Sequence, residues 1–278
     1  MSSLPVALIQ TRTPASPVAA LAHVEPLIRE AAAGGAKLIL TPEATNFVLK
    51  DRERRDAVLA TLKADEAVCG LRNLARDLGV WLLIGSAIVR SGVDGDERAA
   101  NRSILVGDSG EVAATYDKLH VYDVDLPTGE SWRESASIRP GDAAVVADTP
   151  WGRLGLTVCY DLRFPQLFRA LAKAGAPMIA VPSAFTVPTG EAHWETLLRA
   201  RAIEAGCFIL APAQGGEHED GRRTWGRSTI VGPWGEVIAK LDHDAPGVLF
   251  ASLDLDAVAR ARRAVPQLTH DRDFAPPR

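Results

Sequence analysis

Short apolar runs alternate with stretches of helical spacing along this chain, and this alternation limits the possible folds more than any other feature. Residues 4–10 form a nearly continuous apolar run, which is typical of a strand buried on both faces. Apolar residues at helical spacing follow over 17–33, and Gly34-Gly35 ends that stretch. Residues 37–41 are again a predicted strand. Repeated strand and helix units of this kind predict an α/β protein.

The pattern continues to the end of the chain, interrupted by three tight turns. Further helices are predicted over 65–78, 166–174, 192–205 and 256–265, further strands over 80–84, 154–158, 178–182, 208–211 and 248–253, and turns at 108–111, 150–152 and 232–235. Residues 121–142 show neither period, and a loop of this length is usually functional. Without a linker or a break in composition, we predict one domain over 1–278, with a core over about 4–254 and a C-terminal helix and tail over 255–278.

Composition narrows the class of protein. A chain of 278 residues that is 47% hydrophobic has enough apolar side chains for a large core. Its net charge of −4 gives no electrostatic footprint for nucleic acid, and no apolar run is long enough for a membrane span. The first ten residues resemble a strand more than a signal peptide. Three cysteines without a CxxC pair argue against disulfides and structural zinc, so we expect a cytoplasmic protein.

Cys159 is the first candidate for chemistry. It follows the predicted strand 154–158 and precedes a polar turn and a predicted helix. That is where α/β folds present a nucleophile, and the partial positive charge of a helix N-terminus would favour the thiolate. The alternative is a buried packing residue, the commonest role of a free cysteine.

A cysteine nucleophile needs a base and a donor for the developing oxyanion. His120 and His193 lie in motif-like segments, but both are as typical of hydrogen-bonding supports as of bases. Glu43 follows the predicted strand 37–41, and Lys118 follows another apolar stretch. Taken singly, Glu43 is also typical of a helix cap or a surface carboxylate, and Lys118 of a solvated edge charge.

Taken together, the segments around Glu43, Lys118 and Cys159 resemble the carbon–nitrogen hydrolases of the nitrilase superfamily. The segments are Leu40-Thr41-Pro42-Glu43, Tyr116-Asp117-Lys118-Leu119-His120 and Val158-Cys159-Tyr160-Asp161-Leu162-Arg163-Phe164-Pro165. The order of the three residues and their separations are also similar to that family. Further similarity lies at 133–135, 190–195 and 232–236, so the resemblance covers about 5–254.

The resemblance implies a four-layer α-β-β-α sandwich and a metal-free, cofactor-free amide hydrolysis through a cysteine thioester. Glu43 would be the general base and Cys159 the nucleophile. Lys118 and the backbone N–H of Tyr160 would hold the oxyanion, and Glu134 would orient Lys118 and the substrate. Cys69 and Cys207 match no motif and are predicted to be packing residues.

The segment after Cys159 resembles the Nit-type amidases of this family, which implies a linear amide of a small carboxylated substrate. Arg163 would grip a substrate carboxylate or else pair with a neighbouring carboxylate, and Phe185 and Thr186 would form another wall of the pocket. Residues 193–204 and 213–216 resemble the branch of this family that cleaves deaminated glutathione to α-ketoglutarate and cysteinylglycine, which implies that substrate. Gly215-Gly216 and the polar loop over 217–223 would then leave room for the dipeptide.

Three alternatives stay open at the level of the sequence. One is α-ketoglutaramate as the substrate, another is a nitrile or an N-carbamoyl compound, and the third is a binding or scaffold protein without activity. The resemblance also implies a homo-oligomer, a dimer or larger, because the family commonly forms dimers through the helix next to the nucleophile.

Overall fold

The structure, a computed structural model, describes residues 3–127 and 129–275. Most of its strands form two six-stranded sheets. The first sheet contains β1 (Ser3–Gln10), β2 (Leu38–Leu40), β3 (Trp81–Arg90), β4 (Ala99–Val106), β5 (Val112–Asp117) and β16 (Gly247–Asp254). Its spatial order is β16-β1-β2-β3-β4-β5, so the last strand of the chain pairs with the first along its whole length.

The second sheet repeats this plan with strands from the other half of the chain. It contains β8 (Val145–Thr149), β9 (Gly152–Leu156), β10 (Met178–Ala180), β11 (Phe208–Ala211), β14 (Thr229–Val231) and β15 (Val237–Lys240), in the order β15-β14-β11-β10-β9-β8. Two small hairpins lie outside the sheets: β6 (Asp123–Asp125) with β7 (Ser131–Arg133), and β12 (Gly215–Glu217) with β13 (Arg223–Trp225). In both sheets the three central strands are parallel, β1-β2-β3 and β9-β10-β11, and antiparallel strands flank them.

Six helices complete the described fold. They are α1 (Pro17–Ala33), α2 (Arg52–Val58), α3 (Glu66–Leu78), α4 (Pro165–Lys173), α5 (Val187–Ala205) and α6 (Asp256–Ala264). Two 3-10 turns cover Glu134–Ala136 and Cys159–Arg163. None of the helices in the described ranges combines the length and the apolar character that a membrane crossing needs.

Burial on both faces explains the continuous apolar runs of the central strands. Successive strand residues point to opposite faces, so Ile39 lies in the apolar cluster that contains Ile28 of α1. Its neighbour Leu40 lies in the cluster that contains Leu156 of the second sheet. The second sheet in turn carries α4 and α5, with Phe168 and Leu198 in the same core. The layers therefore run helix, sheet, sheet, helix, and the predicted α-β-β-α sandwich is confirmed.

The element predictions were wrong at a few places. Helix α5 begins at Val187 and not at 192, because Pro188 fits the first turn of a helix and does not stop it. Helix α2 has no buried residue, so no apolar period marks it in the sequence. Strand β3 continues to Arg90 instead of ending at 84, and the loop 121–142 contains β6, β7 and a 3-10 turn. The prediction of one domain stays a prediction.

Candidate active site

One cavity of about 300 Å³ opens where the two sheets meet, and four predicted catalytic side chains line it: Glu43, Lys118, Glu134 and Cys159. They come from four segments, after β2, after β5, after β7 and after β9. Glu43 and Cys159 follow parallel strands, one in each sheet, whereas Lys118 follows the antiparallel strand β5 and Glu134 follows the small β6-β7 hairpin. The structure thus brings together the four side chains that the sequence singled out.

The backbone at Cys159 is held in an unusual conformation. Its φ is 51°, in the left-handed region that a residue with a side chain rarely adopts. The Cys159 N–H donates to the Pro182 carbonyl at 2.9 Å, and the 3-10 turn begins at the same residue. The tertiary structure therefore stabilises a strained turn that holds the buried thiol, 8% exposed, against the cavity.

The turn that carries Glu43 is held by a bulge in β3. The β3–β4 ladder is irregular between Ile84 and Ala87, and the residues freed there bind the turn instead. The Ala44 N–H donates to Ser86 Oγ at 2.9 Å, and Ala44 has a φ of 56°. From the other half of the chain, Gln214 Nε2 donates to the Glu43 carbonyl at 2.9 Å. Both sheets therefore fix the position of Glu43.

Lys118 lies between the two glutamates. Its Nζ is 2.9 Å from Glu43 Oε1 and 2.9 Å from Glu134 Oε2, and its side chain is 2% exposed. Glu134 Oε2 also accepts the Tyr122 N–H at 2.6 Å, which ties Glu134 to the segment after Lys118. A buried ammonium between two carboxylates is charge-compensated and has a fixed direction.

Asn101 of β4 is a member of this cluster that the sequence analysis did not identify. Its Nδ2 donates to Glu43 Oε1 at 2.9 Å and to Glu134 Oε1 at 3.2 Å. The signal was an amide side chain in a predominantly apolar strand, because a buried polar group needs partners. Asn101 fixes the separation of the two glutamates.

Opposing effects set the charge states of Glu43 and Lys118. Burial alone would raise the pKa of Glu43, but the charge of Lys118 and hydrogen bonds from Cys159, Lys118 and Asn101 lower that pKa below its ordinary 4.5. Burial would lower the pKa of Lys118, whereas the charges of Glu134 and Glu43 raise it well above 10.5. At neutral pH the site therefore holds a carboxylate and an ammonium.

The thiol of Cys159 departs from the sequence expectation. Burial, followed by the charge of Glu43, raises the pKa of Cys159 well above its ordinary 9.0, although Lys118 opposes the shift. The expected help of a helix N-terminus towards the thiolate is wrong, because desolvation dominates at this site. The resting nucleophile is a neutral thiol, so its proton has to leave as the substrate is attacked.

A second buried network joins the Lys118 segment to the Cys159 segment. Asp161, fully buried, accepts the Tyr116 hydroxyl at 2.6 Å, the Val158 N–H at 2.8 Å and the His120 backbone N–H at 3.1 Å. The His120 ring also lies 2.7 Å from Asp161 and stacks on Phe164. His120 is thus a hydrogen-bonding support, one of its two predicted roles.

Four residues predicted to bind substrate line the same cavity: Tyr160, Arg163, Phe185 and Thr186. The Arg163 guanidinium lies 5.5 Å from the centroid of the Phe185 ring and 5.9 Å from that of Tyr160. It is 3.3 Å from His193 Nδ1, and none of the ion pairs among the described residues includes Arg163. The predicted alternative, a neighbouring carboxylate, is therefore wrong for the residues that the structure describes.

The glycine pair is not where the sequence analysis expected it. Gly215 and Gly216 are buried in β12, packed against Asp244 and Arg12, and neither lines the cavity. The loop that follows them does reach the cavity, through Arg222.

The other two cysteines differ from each other. Cys207 is fully buried, as predicted for a packing residue. Cys69 is only half-buried on α3 and donates to the Lys63 carbonyl at 3.3 Å, so its packing is less complete than expected. Over residues 3–127 and 129–275, no group of three histidine, cysteine, aspartate or glutamate side chains is placed to hold a metal ion.

A four-layer sandwich that brings a cysteine, a lysine and two glutamates into one cavity defines a class of carbon–nitrogen hydrolases. The family model described as carbon-nitrogen hydrolase matches residues 5–263 of this chain. The chain belongs to that family. The predictions of the family and of a hydrolase acting on carbon–nitrogen bonds are confirmed.

Known relatives agree over nearly the whole chain. Deaminated glutathione amidase of Yersinia enterocolitica is 40% identical over 280 residues, which covers 98% of this chain and 94% of the relative. The NitFhit protein of C. elegans superposes with a TM-score of 0.90 at 33% identity, over 98% of this chain and 66% of that one. An amidase from Nesterenkonia sp. AN1, solved after Michael addition of acrylamide at its active-site cysteine, gives a TM-score of 0.77 at 30% identity over 95% and 98% of the two chains.

Proposed function

We propose that this protein is a thiol amidohydrolase that cleaves a linear amide through a Cys159 thioester. The observation that carries the proposal is the Lys118 ammonium, held at 2.9 Å by both Glu43 and Glu134 in the cavity that Cys159 lines. This arrangement supplies a nucleophile, a base and an electrophilic cation in a buried site. Intact chemistry of this kind argues against a scaffold protein.

The steps follow from the charge states. Cys159 Sγ attacks the amide carbonyl carbon while its proton passes to the Glu43 carboxylate. Lys118 and the Tyr160 backbone N–H stabilise the oxyanion. Collapse breaks the carbon–nitrogen bond, Glu43 gives its proton to the departing amine, and a thioester remains. Glu43 then takes a proton from water, which attacks the thioester and releases the acid and the thiol.

A test of these roles uses Lys118→Met and Glu43→Gln. Loss of one oxyanion donor typically costs roughly 3–4 kcal/mol, or about a hundred- to a thousandfold in rate, so Lys118→Met should lower kcat far more than it raises KM. Glu43→Gln should block both acylation and deacylation. If mass spectrometry showed the Glu43→Gln protein acylated on Cys159 at the wild-type rate, the assignment of the base would be wrong.

For the substrate we propose deaminated glutathione, cleaved to α-ketoglutarate and cysteinylglycine. Support comes from the relative with that activity in its name, 40% identical over 98% of this chain. The Arg163 guanidinium, stacked on two aromatic rings and lining the cavity, suits the carboxylate of the α-ketoglutaryl group. Arg163→Ala should then raise KM for every α-ketoglutaryl amide.

A substrate panel tests this choice with one product assay. Deaminated glutathione and α-ketoglutaramate both release α-ketoglutarate, so one coupled dehydrogenase assay gives kcat/KM for both. We expect the larger value for deaminated glutathione, with the Cys159→Ala protein as the background control. Nitriles and N-carbamoyl compounds are assayed in parallel by ammonia release. A clear preference for one of these, or for α-ketoglutaramate, would replace the substrate and leave the mechanism standing.

We further propose a cytoplasmic homo-oligomer, a dimer or larger, built from one domain per chain. All three cysteines are free, which suits a reducing compartment. Three large apolar side chains are exposed on neighbouring segments, Ile203 by 50%, Trp234 by 63% and Val265 by 49%. Light scattering should give at least twice the chain mass, and Trp234→Glu should lower it. A wild-type protein that scatters as a monomer would contradict the proposal.

A further inference from the structure

The cavity holds more positive charge than the proposed chemistry uses. Six basic side chains line it, against two carboxylates. The basic side chains are Lys50, Arg55, Lys118, Arg133, Arg163 and Arg222. Both carboxylates, Glu43 and Glu134, are already paired with Lys118. A cavity with this balance favours an anionic ligand.

Two of the basic residues, Lys50 and Arg222, lie over the same aromatic ring, that of Trp132. The Lys50 ammonium is 5.5 Å from the centroid of the Trp132 ring, and the Arg222 guanidinium is 4.9 Å from it. Lys50 precedes α2, Trp132 lies on β7, and Arg222 lies between β12 and β13. Three separate segments of the chain thus form one cluster, which we call the Trp132 cluster.

A row of aromatic rings connects the Trp132 cluster to the nucleophile. Tyr160, the residue after Cys159, has its ring centroid 5.0 Å from that of Tyr122, which is 6.3 Å from that of Trp132. Arg163 lies at the opposite end of this row, over Tyr160. Cationic side chains therefore lie at both ends of this row of rings, in the cavity that Cys159 also lines.

The two members of the Trp132 cluster are poorly neutralised by protein carboxylates. Within the described residues Lys50 has no ion-pair partner, and Arg222 has only Asp220, at 3.6 Å. Arg222 Nε is buried and has no hydrogen-bond partner. By contrast, Arg133 lines the same cavity but donates to both oxygens of Asp125 at 2.8 Å. A buried guanidinium N–H without an acceptor is costly unless a ligand supplies one.

We propose that Lys50 and Arg222 bind a carboxylate on the leaving-group side of the substrate. The inference rests on the proposed function, since cysteinylglycine leaves with a terminal carboxylate and ammonia does not. Arg163 would hold the acyl carboxylate and the Trp132 cluster the second one, so the scissile amide would lie between them. This site would select amides whose departing amine is a short peptide with a free C-terminus.

The test compares deaminated glutathione with its C-terminal amide, which differs in that carboxylate. In the wild type, kcat/KM should be roughly tenfold or more higher for the acid, the worth of one charge-assisted contact. Lys50→Gln and Arg222→Gln should remove most of this difference, mainly through KM, while Arg133→Gln should keep it. The melting temperature of Lys50→Gln should match the wild type, because Lys50 is exposed, and that of Arg222→Gln should be no lower, because the substitution removes a buried N–H that has no acceptor.

Two results would overturn the inference: equal kcat/KM for acid and amide in the wild type, or equal losses on both substrates in the variants. A wild type that cleaves no deaminated glutathione would instead overturn the proposed substrate. In that case, product inhibition by cysteinylglycine and by its C-terminal amide is compared during turnover of whichever amide is cleaved. Stronger inhibition by the acid, lost in Arg222→Gln, supports the site, and equal inhibition overturns it.

Discussion

At the scale of single residues, the charged groups of the site are not its nucleophile. Lys118 and Glu43 are ionised at rest, whereas the thiol in the same cavity keeps its proton because burial disfavours the thiolate. The resting enzyme therefore holds no strongly reactive group. Proton transfer to Glu43 has to accompany the attack on a bound carbonyl, which ties reactivity to the presence of the substrate.

Replacement of Cys159 and of Cys207 distinguishes a catalytic cysteine from a packing cysteine. Cys159→Ala should abolish turnover and leave the melting temperature within a few degrees of the wild type, because the thiol borders the cavity. Cys207→Ala should lower the melting temperature, since its side chain is fully buried, and should keep kcat. Equal loss of activity in both variants at equal folded fraction would contradict the assignment of the nucleophile.

The pH dependence of kcat/KM should identify the base. The pKa of Glu43 lies below its ordinary 4.5, so the carboxylate should stay ionised, and activity should hold, until the pH falls below about that value. A histidine base would instead give an acid limb near pH 6.5. Asn101→Leu removes a hydrogen bond that lowers the Glu43 pKa, so the limb should move to higher pH.

The comparison needs the folded fraction at each pH. A carboxylate whose pKa is lowered in the folded protein stabilises the fold at any pH above the ordinary pKa of the group. That stability is lost as the pH falls through the lowered pKa. Circular dichroism at each pH separates unfolding from protonation of the base. If the acid limb of Asn101→Leu lay at the same pH as that of the wild type, Asn101 would have no role in setting the pKa of Glu43.

At the scale of elements, the bulge in β3 couples the sheet to the site. Its glycine, Gly85, has no room for a side chain: a Cβ there would lie 1.9 Å from the Thr41 carbonyl oxygen and 2.5 Å from Pro182 Cβ. Thr41 precedes the Glu43 turn, and the Pro182 carbonyl accepts the Cys159 N–H. Close approach at Gly85 thus sets the separation of the two catalytic turns.

Gly85→Ala should therefore affect both stability and catalysis. Overpacking typically costs about 1–3 kcal/mol, and contact with backbone atoms places this variant at the upper end or above. We expect a lower midpoint of urea unfolding and a lower kcat in the fraction that stays folded. Gly107→Ala is the matched control, because its added Cβ would meet nothing closer than 3.7 Å. Equal effects of the two substitutions would argue against the role of Gly85.

How far the sequence predicts this fold depends on the kind of signal. Strand β11 was predicted at its observed bounds because an apolar run between a helix and a turn has few alternatives. The cluster around Lys118 was predicted from motifs, each next to a strand end. Asn101 and the bulge at Gly85 were missed, because their partners are 58 and 44 residues away and no local period reports such contacts.

At the scale of the whole molecule, the charge of the cavity opposes the charge of the chain. The chain carries a net charge of −4, whereas basic side chains outnumber acidic ones around the cavity by six to two. Charges farther apart than a Debye length are screened at physiological salt, so the cavity dominates the final approach of a small anion. The electrostatic field of the whole chain therefore repels an anion at long range, whereas the field of the cavity attracts it at short range.

Ionic strength should report which field controls binding. If the cavity does, kcat/KM for an anionic amide should fall as sodium chloride rises from about 10 mM to 500 mM, because salt screens the attraction. The net charge alone would give the opposite trend. Stopped assays across the salt range, with kcat as the internal control, decide between the two, and a rise in kcat/KM would contradict control by the cavity.

The pairing of β1 with β16 has a consequence for folding during translation. Gln10 pairs with Gly247, so nearly the whole chain has to be made before one edge of the first strand is covered. At about 5–20 residues per second, translation leaves that apolar edge open for roughly 10–50 s. An open strand edge is a template for aggregation. A chain that ends before Gly247 should therefore aggregate more readily than the full chain, because one edge of β1 stays open.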